Sequence, residues 1–66
     1  MTISELMKRK KLTQVELAEM LGVTQSTISG WKNGLRMPRT KQIKPLAKAL
    51  GVSVGMLVEV LERNKI

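Results

Sequence analysis

The sequence predicts an all-α fold of five short helices. Three observations carry that prediction. Apolar residues recur at three- and four-residue spacing along the chain. Thr and Ser stand where helices would start, and glycines stand where they would stop. Strand signals are missing, with no period-2 alternation, no Asn-Gly turn and a single aromatic residue.

The elements follow in order. Thr2 and Glu5 have capping-box spacing, and Ile3, Leu6 and Met7 share the face of the helix behind them. That helix runs into Lys8-Arg9-Lys10-Lys11, where cations oppose the negative end of the helix dipole. This run reads as a solvated helix end or as a phosphate patch. Thr13 and Glu16 repeat the box for a second helix with Leu17, Ala18 and Leu21 inward and Gly22 as its stop. Thr24 caps a third helix through about Asn33, with Ile28 and Trp31 inward and Gly34 beyond it. A short loop, Leu35 to Arg39, leads to a fourth helix through Ile43, Leu46, Ala47 and Leu50, stopped at Gly51. Pro45 removes an N–H there, so its first turn is expected to be bent, with regular helix from about Lys44. Ser53 caps the last helix, expected over about 54–62 with Leu57 and either Val54 or Leu61 facing the core.

Composition narrows the chemistry. Twelve Lys and Arg against five Glu give a net charge of +7 and a pI near 10.4. That balance predicts attraction to a polyanion, meaning nucleic acid or an acidic membrane or protein surface. The chain has no Cys, His or Asp. Disulfides, zinc sites and Ser-His-Asp chemistry are therefore excluded, and no enzyme, metal or cofactor is expected. No apolar run approaches the roughly 18 residues of a membrane span, and no signal peptide is legible. One domain over residues 1–66 is expected, in the cytoplasm of a prokaryotic or phage-infected cell and associated with the nucleoid.

The informative stretch is residues 13–34. Two short helices separated by a glycine turn, with Leu17, Leu21, Val23, Ile28 and Trp31 wedged between them, have helix-turn-helix spacing. On a wheel at about 100° per residue, Ile28 and Trp31 turn inward. Ser26, Ser29, Gly30 and Asn33 turn outward, with Gln25 at the N-terminal tip. The outer face of this helix is thus neutral and polar on a strongly basic chain. Amides and hydroxyls read base edges in the major groove, and cations around them hold phosphates.

The joint spacing of Leu12-Thr13-Gln14, Leu17-Ala18, Leu21-Gly22-Val23-Thr24, Thr27-Ile28-Ser29, Trp31, Asn33-Gly34, Pro38, Leu46 to Ser53 and Leu57 resembles the lambda-repressor/Cro-like helix-turn-helix family, also called the Xre family. The resemblance spans residues 3 to about 58 and implies the family's compact five-helix domain. By position it implies base contacts from Gln25, Ser26, Ser29 and Gly30. It implies phosphate contacts from Gln14, Asn33, Arg36 and Arg39, with Gln14 also bracing the reading helix; Thr13 and Thr24 are read as caps first and phosphate donors second, and Thr27 and Lys32 as further expected phosphate contacts. The sequence departs from the family at three places. Met7 and Lys32 stand where relatives often pair Arg with Glu, which leaves Lys32 to reach solvent or phosphate. Gly30 has no side chain where a reader is common. Lys11 stands where relatives commonly end the helix with Gly.

The last helix has more apolar residues than one core-facing stripe needs. Met56, Val58, Val60 and Ile66 are expected to form an exposed patch, and such patches usually mark an interface. The expectation is therefore a homodimer on a short inverted repeat of double-stranded DNA. With no room for a ligand-sensing domain and no small-molecule ligand expected, it would be a Cro-like repressor acting by operator occupancy. A restriction-modification controller or an autoregulating antitoxin would use the same surface. A basic module binding an acidic protein partner is the reading from a different class.

Overall fold

The computed structural model describes residues 2–64 and builds five helices from them. They are α1 (Ile3–Arg9), α2 (Gln14–Leu21), α3 (Gln25–Lys32), α4 (Thr40–Leu50) and α5 (Val54–Asn64), and no strand occurs among the described residues. Thr2 and Thr13 close reciprocal capping boxes with Glu5 and Glu16. The Thr24 hydroxyl accepts the Thr27 N–H at 3.2 Å, and the Ser53 hydroxyl accepts the Met56 N–H at 3.1 Å. Each bond satisfies one of the orphan donors at a helix start.

Four helices end in the same way. A residue in the left-handed region follows, and the next apolar residue donates its N–H back into the last turn. Gly22, Gly34 and Gly51 hold that place after α2, α3 and α4, while after α1 it is held by Lys11, at φ 56°. The returning bonds run from Leu12 to Met7, Val23 to Ala18, Leu35 to Gly30 and Val52 to Ala47. Lys11 therefore adopts the glycine conformation with a side chain attached, at an intrinsic cost of about 1–2 kcal/mol.

The core gathers Ile3, Leu6, Met7, Leu17, Ala18, Ile28, Trp31, Leu46, Ala47, Leu50, Leu57, Val60 and Leu61. Leu21 and Val23 are half-buried against it. α2 packs on α3 and α4, α1 packs on α3 and α5, and α4 packs on α5. A radius of gyration of 10.3 Å agrees with the roughly 11 Å of a compact chain of this length, so no helix stands away from the body. Among the described residues no helix is long and apolar enough to cross a membrane.

Two expectations change. α4 is helical from Thr40, not from about Lys44. Its first turn is closed by the Arg39 N–H on the Gln42 side-chain oxygen at 2.9 Å and by Gln42 N to Arg39 O at 2.8 Å. Pro45 is on the exposed side of the helix, where water can take the carbonyl its missing N–H would have bonded. The second change is in α5. Val60 is 4 % exposed and belongs to the core, while Val54 is 43 % exposed. The buried stripe is Leu57, Val60 and Leu61, at i, i+3 and i+4, so Val60 cannot belong to an exposed patch. Met56 and Val58 are partly exposed on opposite flanks of that stripe, Val58 together with Val54, while Gly55, Glu59 and Glu62 hold the outermost face. Ile66 lies outside the described residues.

Candidate nucleic-acid interface

The two helices of the central motif meet at their N-terminal ends. Gln14 is the first residue of α2 and Gln25 the first residue of α3. The Gln14 Nε2 donates to the Gln25 carbonyl oxygen at 3.0 Å. Leu17, Ile28 and Trp31 fill the space beneath, with Trp31 only 2 % exposed and so unavailable for base stacking. At both helix starts the first N–H groups have no intrahelical acceptor. The first turn of α3 carries no acidic side chain, so nothing on its own first turn neutralises the positive end of its dipole.

The outward residues of α3 are polar and uncharged. Gln25 and Ser26 are exposed, Ser29 is half-buried, and Asn33 is exposed just past the helix end. The Asn33 amide makes a long contact with the Ser29 hydroxyl, at 3.5 Å. Thr24, Thr27, Arg36, Arg39 and Gln42 line one open groove of about 490 Å³ beside α3. The Thr24 and Thr27 hydroxyls lie 3.0 Å apart in a shared hydrogen bond. Thr13 is engaged locally, because its N–H donates to the Glu16 carboxylate at 3.0 Å. That bond and the Thr13 hydroxyl hold the Glu16 carboxyl below its ordinary value of 4.5.

Two residues sit differently from their expected places. Gly30 is buried and does not offer open backbone on the outer face. A Cβ built there would lie 2.9 Å from Arg36 Cδ and 3.0 Å from Arg36 Cγ. The Gly30 carbonyl also accepts the N–H groups of Leu35 and Arg36, at 2.9 and 3.1 Å. The missing side chain makes room for the arginine stem and not for a base. Lys32 does not extend freely into solvent. Its Nζ donates to the Gln14 Oε1 at 3.3 Å, in a half-buried setting. Met7, across from it in the family pattern, is in the core.

The fold joins Gln14 to Gln25 and sets Arg36 and Arg39 with Thr24 and Thr27 along one groove, which Gln42, absent from the sequence-based expectations, also lines. The three-residue spacing from Arg39 to Gln42 was the available signal, since it is the spacing of a cap. No group of three or more His, Cys, Asp or Glu among the described residues could hold a metal ion.

A helix-turn-helix family model matches residues 3–57. Over 56 residues the chain is 34 % identical to the HTH-type transcriptional activator BcrR of Enterococcus faecalis, a match covering 85 % of this chain and 28 % of that protein. Over 62 residues it is 32 % identical to the cryptic phage CTXphi transcriptional repressor RstR of Vibrio cholerae, covering 94 % of this chain and 56 % of that protein. The chain thus spans little more than half of one relative and under a third of the other. No solved structure matches it. The chain belongs to the helix-turn-helix family of the lambda-repressor and Cro type.

Proposed function

We propose that this helix-turn-helix chain is a sequence-specific regulator of transcription that binds double-stranded DNA as a homodimer. The observation that carries the reading is the Gln14–Gln25 bond. It ties the starts of α2 and α3 together and leaves the polar tip of α3 exposed. In this reading Gln25, Ser26 and Ser29 meet base edges in the major groove. Thr13, Gln14, Thr24, Thr27, Asn33, Arg36 and Arg39 hold the flanking phosphates. The net charge of +7 supplies the sequence-independent attraction.

The dimer contact is assigned to α5, on the flank of its buried stripe where Val54 and Val58 are each 43 % exposed, with Met56, 37 % exposed, on the opposite flank. Two-fold symmetry would then set the reading helices about 34 Å apart, on successive turns of the major groove of an inverted repeat. Similarity to a protein named as a phage transcriptional repressor, across 94 % of this chain, supports repression, for which occupancy of the operator is the mechanism proposed.

The test is an electrophoretic shift with duplexes selected from a random pool, repeated across a salt series. Each phosphate neutralised should contribute about −0.9 to the slope of log affinity against log salt. Binding that ignored salt would favour the acidic protein partner and refute the reading.

A further inference from the structure

We propose that Lys32 is a positioning residue, which locks the Gln14 side-chain amide in the one orientation that can clamp a DNA phosphate. The inference rests on the reading of Gln14 as a backbone clamp and adds how that clamp is held. Gln14 is gripped from two sides, with Lys32 Nζ 3.3 Å from its Oε1 and the Gln25 carbonyl oxygen 3.0 Å from its Nε2.

An ammonium only donates and a backbone carbonyl only accepts. Turning the amide over would set its N–H₂ against the ammonium and its oxygen against the Gln25 carbonyl. Both contacts would become repulsive, so the amide has one allowed orientation. In that orientation one Nε2 hydrogen serves Gln25 and the other is left to donate outward. The reversed amide would present an oxygen to a phosphate and repel it.

The lysine also strengthens the donor it orients. A cation on Oε1 draws electron density from the amide and makes its N–H groups better donors. The contact is half-buried, so solvent screens it less than an exposed pair. Lys32 is the last residue of α3 and Gln25 the first, with Gln14 on α2. The lysine therefore reaches back along the helix and, through Gln14, pins the end that carries Gln25. Lys32 acts through a neighbour and need not touch DNA.

The experiment uses the full chain and a duplex selected by it from a random pool. Single neutral methylphosphonates are placed at each backbone position in turn. The wild type should show one position per half-site where neutralisation weakens binding by about tenfold, the size of one hydrogen bond to a charged group. Gln14→Ala should lose that sensitivity, and Lys32→Met should weaken it severalfold, because the Gln25 carbonyl alone still opposes the reversed amide. At that position the double variant should lose no more than Gln14→Ala alone. Lys32→Arg should restore the sensitivity. Lys32→Glu, which accepts where the lysine donates, should bind more weakly than Lys32→Met, with all variants melting close to the wild type.

If Lys32→Met kept the wild-type sensitivity at that position, the inference would be overturned. It would also be overturned if removing Lys32 still weakened that contact in the Gln14→Ala background, because the lysine would then hold the phosphate directly. Failure of the wild type to bind any duplex in a salt-dependent way would bring down the functional reading, and this inference with it.

Discussion

α3 and α5 are both amphipathic helices that bury one face in the same core, yet the exposed residues beside their buried stripes differ, polar in α3 and partly apolar in α5. α3 shows Gln25 and Ser26 at its tip and buries Ile28 and Trp31 behind them. α5 buries Leu57, Val60 and Leu61, exposes Val54 and Val58 on one flank of that stripe and Met56 on the other, and turns Gly55, Glu59 and Glu62 outermost. A polar outer face loses little in water and gains only from a partner that supplies matched donors and acceptors. Apolar flanks such as those of α5 gain from any surface that removes them from water. The first arrangement suits recognition and the second suits association. In the proposed reading one small core carries a polar surface for recognition and an apolar flank for association.

The largest effect should come from undermining the shared core. Leu57→Ala should destabilise the fold by about 2–5 kcal/mol in chemical denaturation, because Leu57 is fully buried. A loss well under ~1 kcal/mol would mean that α5 is not anchored where it lies and that the contrast with α3 is empty. Gln25→Ala addresses the polar face alone. It should weaken binding to the selected duplex by about 1–3 kcal/mol and relax sequence preference, while Arg39→Ala should weaken all sequences alike. Equal losses on selected and random duplexes from both variants would remove α3 from the reading role.

Lys11→Gly lies outside both faces and should raise stability by about 1 kcal/mol without altering DNA selectivity, since it relieves a left-handed residue that carries a Cβ. Val58→Lys tests the apolar face. The monomer should lose no more than about 0.5 kcal/mol, whereas sedimentation should shift towards monomer. A chain that stays dimeric with a lysine there associates through some other surface.

The smallest effect belongs to the capping box of α2. The Glu16 carboxyl is held below 4.5 first by the Thr13 N–H and then by the Thr13 hydroxyl. A depressed folded value means that its contribution is present above about 4.5 and is lost as the pH falls through the folded value. Glu16→Gln should flatten that part of the acid limb in thermal melts and leave neutral-pH binding alone. An unchanged acid limb would show that the box is not what Glu16 contributes.

Much of this molecule was legible in local spacing. The boxes at Thr2 and Thr13, the caps at Thr24 and Ser53, and the glycine stops at Gly22 and Gly51 depend on residues three to five positions apart. A linear reading can see those. It can also see the neutral outer face of α3, because Ile28 and Trp31 set the phase of that short helix.

Tertiary structure decided the matters that depend on how whole elements sit against each other. In α5 two apolar stripes overlap, one using Val54 and one using Val60 with Leu61. Only the roll of the helix against α1 and α4 chooses between them, and it buried Val60. Gly30 looked like an open place on the reading face, but the stem of Arg36 from the next loop lies over it. Lys32 looked like a surface cation, but a glutamine eighteen residues earlier accepts its hydrogen bond. The sequence by itself determined where helices start, stop and turn polar, because those are local hydrogen-bonding and conformational preferences. The fold alone decided which side chains meet, because burial and long-range hydrogen bonds are set by neighbours that no local spacing names.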